Sequence, residues 1–265
     1  MDRRRYFTSL IFRLTLILLA LMLSVRAVYA FEGDVRTWFL AGLFGLSAAV
    51  LQIRPMLVPS PGRPSAVLSP ATAFFLAALF LVPAGPLVTA IGFAVALSGL
   101  VNGTRPHKML LQLSVATLAF GACSYFLKLG PKTGDPTVPP PELVGMELLV
   151  GAVVLIAQLV LRSVAIRLER GEEAPHWGAF QPHAMVEGVY CLALAVPISV
   201  LARIHLALLL VVYVYVGFTW WFMERYRKHV REVSHELVAD EEEDAWPHPR
   251  RRKTDLPANQ RRKVA

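Results

Sequence analysis

The sequence predicts an all-α integral membrane protein, a polytopic bundle of about eight transmembrane helices with both termini cytoplasmic. Three observations lead there. The 265 residues are 55% hydrophobic and only 17% charged, with a mean hydropathy of +0.50. The apolar residues fall into long uninterrupted stretches that end near Met223. Arginines and lysines gather in every second gap between those stretches. A soluble core cannot hide runs of that length, whereas a bilayer span needs about 20 apolar residues.

The expected spans are 6–25, 37–53, 66–83, 86–102, 109–127, 143–161, 185–202 and 205–223. The pairs 66–83/86–102 and 185–202/205–223 leave almost no loop, so each should form a tight helical hairpin. Two-span lead 1–65, six-span bundle 66–223 and charged tail 224–265 are the expected divisions.

The formal net charge of +8 does not point to nucleic acid, because the cations are sorted by side. Arg3, Arg4, Arg5, Arg54, Arg63, Arg105, Lys108, Arg162, Arg167, Arg170, Arg225, Arg227, Lys228 and Arg231 give 14 on one face. Arg26, Arg36, Lys128, Lys132 and Arg203 give 5 on the other. Cationic flanks favour the cytoplasm, which places both termini there and the chain in the inner (cytoplasmic) membrane. The lipid bilayer is then its first partner.

The first span admits a second reading. Arg3-Arg4-Arg5 before a short apolar core, with Val28-Tyr29-Ala30 after it, outlines a signal peptide. Arg13 splits that core and Arg26 precedes the cleavage outline, which favours a retained span.

The segment 54–65 carries Pro55, Pro59, Pro61 and Pro64 and cannot continue a helix. The fourth span carries Gly92, Ala94, Ala96, Ser98 and Gly99, small residues that allow close backbone approach and mark a central helix. The outer loop 130–141 should lie irregularly at the surface, and the inner loop 162–181 mixes charge with Pro175, His176 and Trp177. From Glu224 the chain changes character: Asp240-Glu241-Glu242-Glu243-Asp244, then Arg250-Arg251-Arg252-Lys253, read as a largely disordered tail.

Candidate ligand-binding residues are the polar groups inside spans. Glu147 and Glu187 are acids in hydrocarbon, which usually face a cavity or a partner. Both lie near span ends, on opposite sides, so the plainer reading is an acid at headgroup level. Gln112, Gln158 and Asn102 either line a ligand cavity or bond across helices as packing glue. Arg105, Lys108, Arg225, Arg227 and Lys228 are candidates for lipid-headgroup or partner contact. Cys123 and Cys191 read as small packing residues, and His183 and His205 lack ligand-spaced neighbours. No catalytic residue, cofactor or metal is expected; nucleotide loops, zinc signatures and nucleophile elbows are missing.

Two resemblances bear on function. Val233-Ser234-His235-Glu236-Leu237 resembles the phospho-acceptor box of sensor histidine kinases, which implies phosphorylation of His235, but acids follow it directly. Val67-Leu68-Ser69-Pro70-Ala71-Thr72-Ala73, Leu81-Val82-Pro83-Ala84-Gly85-Pro86 and Arg105-Pro106-His107-Lys108-Met109-Leu110 resemble a bacterial integral-membrane sensor module. That module stands N-terminal to cyclic-dinucleotide signalling domains of the HD-GYP or GGDEF kind. The resemblance covers about 66–228, and Leu111-Gln112 replace its usual Phe-Asn. It implies a non-enzymatic membrane sensor or scaffold that acts through its tail on a cytoplasmic signalling partner. The alternative expectation is a small-solute transporter or the substrate-binding membrane subunit of an importer.

Overall fold

The computed structural model describes residues 3–30, 34–60, 63–127, 141–170 and 182–244. Among the described residues eight α-helices follow one another: α1 (Arg3–Tyr29), α2 (Val35–Ile53), α3 (Ala71–Leu81), α4 (Ala84–Val101), α5 (Pro106–Leu127), α6 (Pro141–Arg170), α7 (Pro182–Ile204) and α8 (Leu209–Asp244). A two-stranded antiparallel hairpin, β1 (Met56–Ser60) and β2 (Arg63–Leu68), joins α2 to α3. The expectations for 130–140, 171–181 and 245–265 lie outside the described residues, as does the side chain of His235.

Six helices among the described residues are long and apolar enough to cross a membrane, where the sequence reading counts eight. The protein is a multi-pass membrane protein on that evidence. The third expected span, 66–83, is the clearest departure. Its first residues form β2, and α3 keeps only 11 residues. The cause is local: proline disfavours helical backbone in the residue before it, so Ser69-Pro70 sets the boundary. Pro59 sits in the register irregularity between Val58 and Ser60, the place in a strand pair that tolerates a missing N–H.

The helix ends follow from their residues. Asp34 caps α2, its carboxylate accepting from the Arg36 N–H at 3.3 Å. Pro86 lies in the first turn of α4, where an N–H would have no helical partner. At the other end Gly103 takes φ +61, Thr104 N–H bonds Gly99 O at 2.8 Å, and α4 stops in a Schellman turn. His205 serves as a cap: its Nδ1 accepts from Ala207 N–H and starts the 3-10 turn Leu206–Leu208.

The core is built around α3. Residues Ala73 to Leu79 are buried without a break, so this helix has no lipid-facing side. α7 lies along it, α2 and α4 pack on it and on each other, and α1 and α5 close the far flank. The small-residue face of α4 is buried at Ala94, Ser98 and Gly99, while Gly92 and Ala96 are half-buried. A close approach to backbone comes from the other helix: a Cβ at Gly45 would stand 3.1 Å from Ala90 O and 3.2 Å from Ala90 Cα. α8 inserts Leu209, Val212 and Val216, and Tyr213 stacks on Phe74 at 5.7 Å and bonds Ser47 at 2.7 Å.

Residues Met1–Met223 form one compact unit, so the two-span lead shares the core of the bundle. Glu224–Ala265 form a second. Within it the chain continues as helix to Asp244, with Arg227 paired to Glu224 one turn back. Spacing of opposite charges by three or four residues supports a helix that has no core to bury.

A side chain at Gly45 would meet the backbone O and Cα of Ala90, which cannot relax by a rotamer change. Gly45→Val should therefore destabilise the detergent-solubilised protein by about 1–3 kcal/mol. Gly42→Ala, where nothing lies within 4 Å, should change the melting temperature little.

Candidate functional site

Successive helices run up and down, which brings six chain ends to one end of the bundle. The C-terminal ends of α2 and α4, the heads of α3, α5 and α7, and the later turns of α6 enclose a cavity of about 310 Å³ there. Four carboxamides line it, each from a different helix or its edge: Gln52, Asn102, Gln112 and Gln158. Ser69, Thr72 and Ser98 add hydroxyls, and Phe75, Val95 and Leu155 supply apolar wall. The charged lining residues are Glu187 and Arg162. Asn102, Gln112 and Arg162 are exposed, so the cavity opens at this end, beside the cations Arg54, Arg105 and Lys108.

Some of these groups also hold the wall together. Ser98 Oγ donates to Gln52 Oε1 at 2.7 Å, and Asn102 Nδ2 to Gln52 O at 3.4 Å, tying α4 to α2. The innermost corner is formed by three residues. Ser69 N–H donates to Glu187 Oε1 at 2.8 Å, and the Cys191 thiol points at Ser69 O at 3.5 Å. Ser69 Oγ is buried there with no hydrogen-bond partner. A hydroxyl in that condition is a group that a solute or water would satisfy.

Glu187 is thus placed by a backbone duty. It accepts the N–H that precedes the first turn of α3, and its charge complements the positive end of that helix. The cysteine is placed by the same α7 face, one turn further on.

Gln112, Gln158 and Glu187, which the sequence singles out, share this cavity, and Asn102 joins them. Glu147 does not. It sits at the opposite end of the bundle, 1% exposed, and forms an ion pair with Arg203, whose side chain is 14% exposed. The headgroup-level reading of Glu147 is therefore corrected. Arg203 lies one helix on, at the same level of an antiparallel neighbour, and gives the acid a partner inside the protein. Ser199 Oγ donates to Glu147 Oε2 at 3.4 Å, and Arg203 Nη2 also reaches Phe80 O at 3.2 Å, at the last turn of α3. Arg203 is correspondingly a buried clamp, not a flanking cation.

Arg105 and Lys108 are exposed at the head of α5, as are Arg225 and Lys228 on α8. Arg225 and Arg227 both have interactions with the protein, the latter with Glu224. Gln52, Ser69 and Cys191 went unselected by sequence reasoning. Gln52 had a visible signal, since it is the last polar residue of its span, one helix-end away from Asn102. Ser69 had none, because its importance comes from a partner 118 residues later.

No family model, curated protein or solved structure matches the chain.

Breaking one half of a buried ion pair leaves a charge uncompensated, which typically costs about 3–5 kcal/mol. Arg203→Leu and Glu147→Leu should each lower the melting temperature in detergent sharply. The double variant should recover part of the loss, and a double-mutant cycle measures that coupling.

Proposed function

We propose that the protein is a non-enzymatic membrane protein of the carrier type, which takes up a small polar solute in the cavity at the basic end of the bundle. The observation that carries this reading is the convergence of four carboxamides, four hydroxyls (Thr104 with Ser69, Thr72 and Ser98) and two charged groups on one space of about 310 Å³. That volume stands at the lower end of small-molecule sites, which run from about 300 to 1,000 Å³. The charge rule makes the basic end cytoplasmic. At the other end, Arg203 joins α6, α7 and the last turn of α3 through Glu147 and Phe80, and this closes the path outward. The same three helices line the cavity and carry the closure, the arrangement needed for opening on one side at a time.

A water-filled cavity can be read by thiol chemistry. With Cys123 and Cys191 replaced by alanine, Gln112→Cys should react with a charged, membrane-impermeant maleimide in inside-out vesicles and stay unreactive in right-side-out ones. A lipid-facing position 112 would react in neither, and that result would remove the cavity from the argument.

A receptor is the second reading. It is supported by α8, a single helix from Leu209 to Asp244, and by the resemblance to a bacterial sensor module. In that reading solute occupancy is passed along α8 to a cytoplasmic partner. Proteoliposomes separate the two. Uptake of a bound solute, kept after truncation at Met223, supports the carrier; tight binding with no uptake supports the receptor.

A further inference from the structure

We infer that the solute is a small hydroxylated anion, a polyol or sugar bearing one phosphate or carboxylate, with the anionic end at the mouth and the hydroxylated body inside. The inference rests on the cavity being a solute site and adds the class of solute and its orientation.

The charge at the mouth is one-sided. Arg162 lines the cavity and is exposed at its lip, one turn outward of the lining residue Gln158 on α6. Lys108 stands in the same relation to the lining residue Gln112 on α5. Arg54 precedes the lining residue Pro55, and Arg105 follows the lining residue Thr104. These cations are all exposed, and none of them pairs with a carboxylate among the described residues. The acid of the lining, Glu187, is already engaged: it accepts the Ser69 N–H and has a further interaction within the protein. Unspent charge at the entrance is therefore positive. Such an entrance concentrates anions and turns cations away.

Depth then separates the two ends of the solute. The cations stay at the mouth, and the inner wall is made of carboxamides and hydroxyls down to the corner held by Ser69 and Glu187. A second anionic group in that corner would face the Glu187 carboxylate, so the end that enters first is uncharged. A hydroxyl suits every polar group it meets there. Carboxamides and hydroxyls both donate and accept, and the carboxylate oxygens have lone pairs left to accept from an O–H. Ser69 Oγ, buried without a partner, gains one from the same hydroxyl. The apolar wall at Phe75, Val95 and Leu155 packs against the carbon skeleton. At the mouth, the Arg162 guanidinium presents a fork that matches phosphate or carboxylate oxygens. A space of about 310 Å³ suits one small metabolite.

The test uses the purified full-length chain in phosphatidylcholine nanodiscs and equilibrium dialysis with radiolabelled probes. The hydroxylated anions are glycerol 3-phosphate, glucose 6-phosphate and gluconate. Glycerol and glucose are the uncharged parents, and inorganic phosphate and butyrate are the anions without hydroxyls. The expected result is binding of at least one hydroxylated anion, with its uncharged parent and the matched plain anion each weaker by tenfold or more. Arg162→Gln and Lys108→Gln should each weaken that anion by tenfold or more, and Arg162→Lys should restore part of the loss. Arg36→Gln removes the same charge from the opposite end of the bundle and should leave binding unchanged. Equal losses in Arg36→Gln, Arg162→Gln and Lys108→Gln mean attraction to net charge alone and overturn the inference. Equal binding of the anion and either kind of control also overturns it. Polyol phosphates occur in lipid headgroups as well as in dissolved metabolites, so phosphatidylglycerol is added to the discs in a further arm. Retained binding of the dissolved probe supports the inference, and complete displacement assigns the site to a headgroup and overturns it. Preference for putrescine or glycine overturns it too, yet leaves the cavity as a solute site. Failure of anionic, cationic, zwitterionic and uncharged probes alike removes the solute site itself.

Discussion

A short helix buried on all sides along its middle needs partners from the protein at both of its ends, and the rest of this structure is organised by that constraint. The first N–H groups and the last carbonyls of any helix lack intrahelical partners. In hydrocarbon each such group is costly unless the protein supplies a partner. α3 has 11 residues, about 17 Å of helix, well short of a bilayer core. Both of its ends are met by one neighbour. Glu187 of α7 takes the N–H of Ser69 before the first turn, and Arg203 of the same helix reaches the Phe80 carbonyl in the last. The anion stands at the positive end of the helix and the cation at the negative end, as the macrodipole requires.

The functional geometry follows from this. Because α3 is short and its head is drawn to Glu187, the space above it is not filled by the helix, and the polar residues of its neighbours face a cavity. Because Arg203 must reach the tail of α3, it is withdrawn from the membrane surface and needs Glu147 as a counter-ion. One buried helix thus accounts for a polar hollow at one end of the bundle and a sealed ionic contact at the other. The Glu187 carboxylate is held in place by the Ser69 N–H that it accepts.

The eight helices were legible in the sequence because apolar runs, prolines and charged gaps are local signals. The grouping of Gln112, Gln158 and Glu187 was legible in part, as polar residues in spans whose cytoplasmic ends coincide. Three things were not. Val67 and Leu68 read as the start of a span, since hydropathy does not distinguish a strand from a membrane helix and only Pro70 hinted at the break. Glu147 read as an interfacial acid, since burial depends on what packs around a position and not on its distance from a span end. Arg203 read as a flanking cation for the same reason. A comparison of levels would have helped: Glu187 and Arg203 stand at the two ends of one span, and α3 runs parallel to that span with its two ends at the same heights.

The order in which the chain is made gives the capping of α3 a further meaning. The residues that complete it come 118 and 123 positions after the groups they satisfy. At ordinary rates of synthesis α3 exists for on the order of ten seconds before α7 has been made. During that interval its ends have neither of their final partners, and the helix is too short to hold a transmembrane position by itself. It must wait beside the insertion machinery or at the membrane surface, and α7, when it arrives, is what draws it inward. Assembly of this bundle is therefore completed from its late half, and a ribosome that stalls before the seventh helix leaves a chain whose centre has not yet entered the membrane.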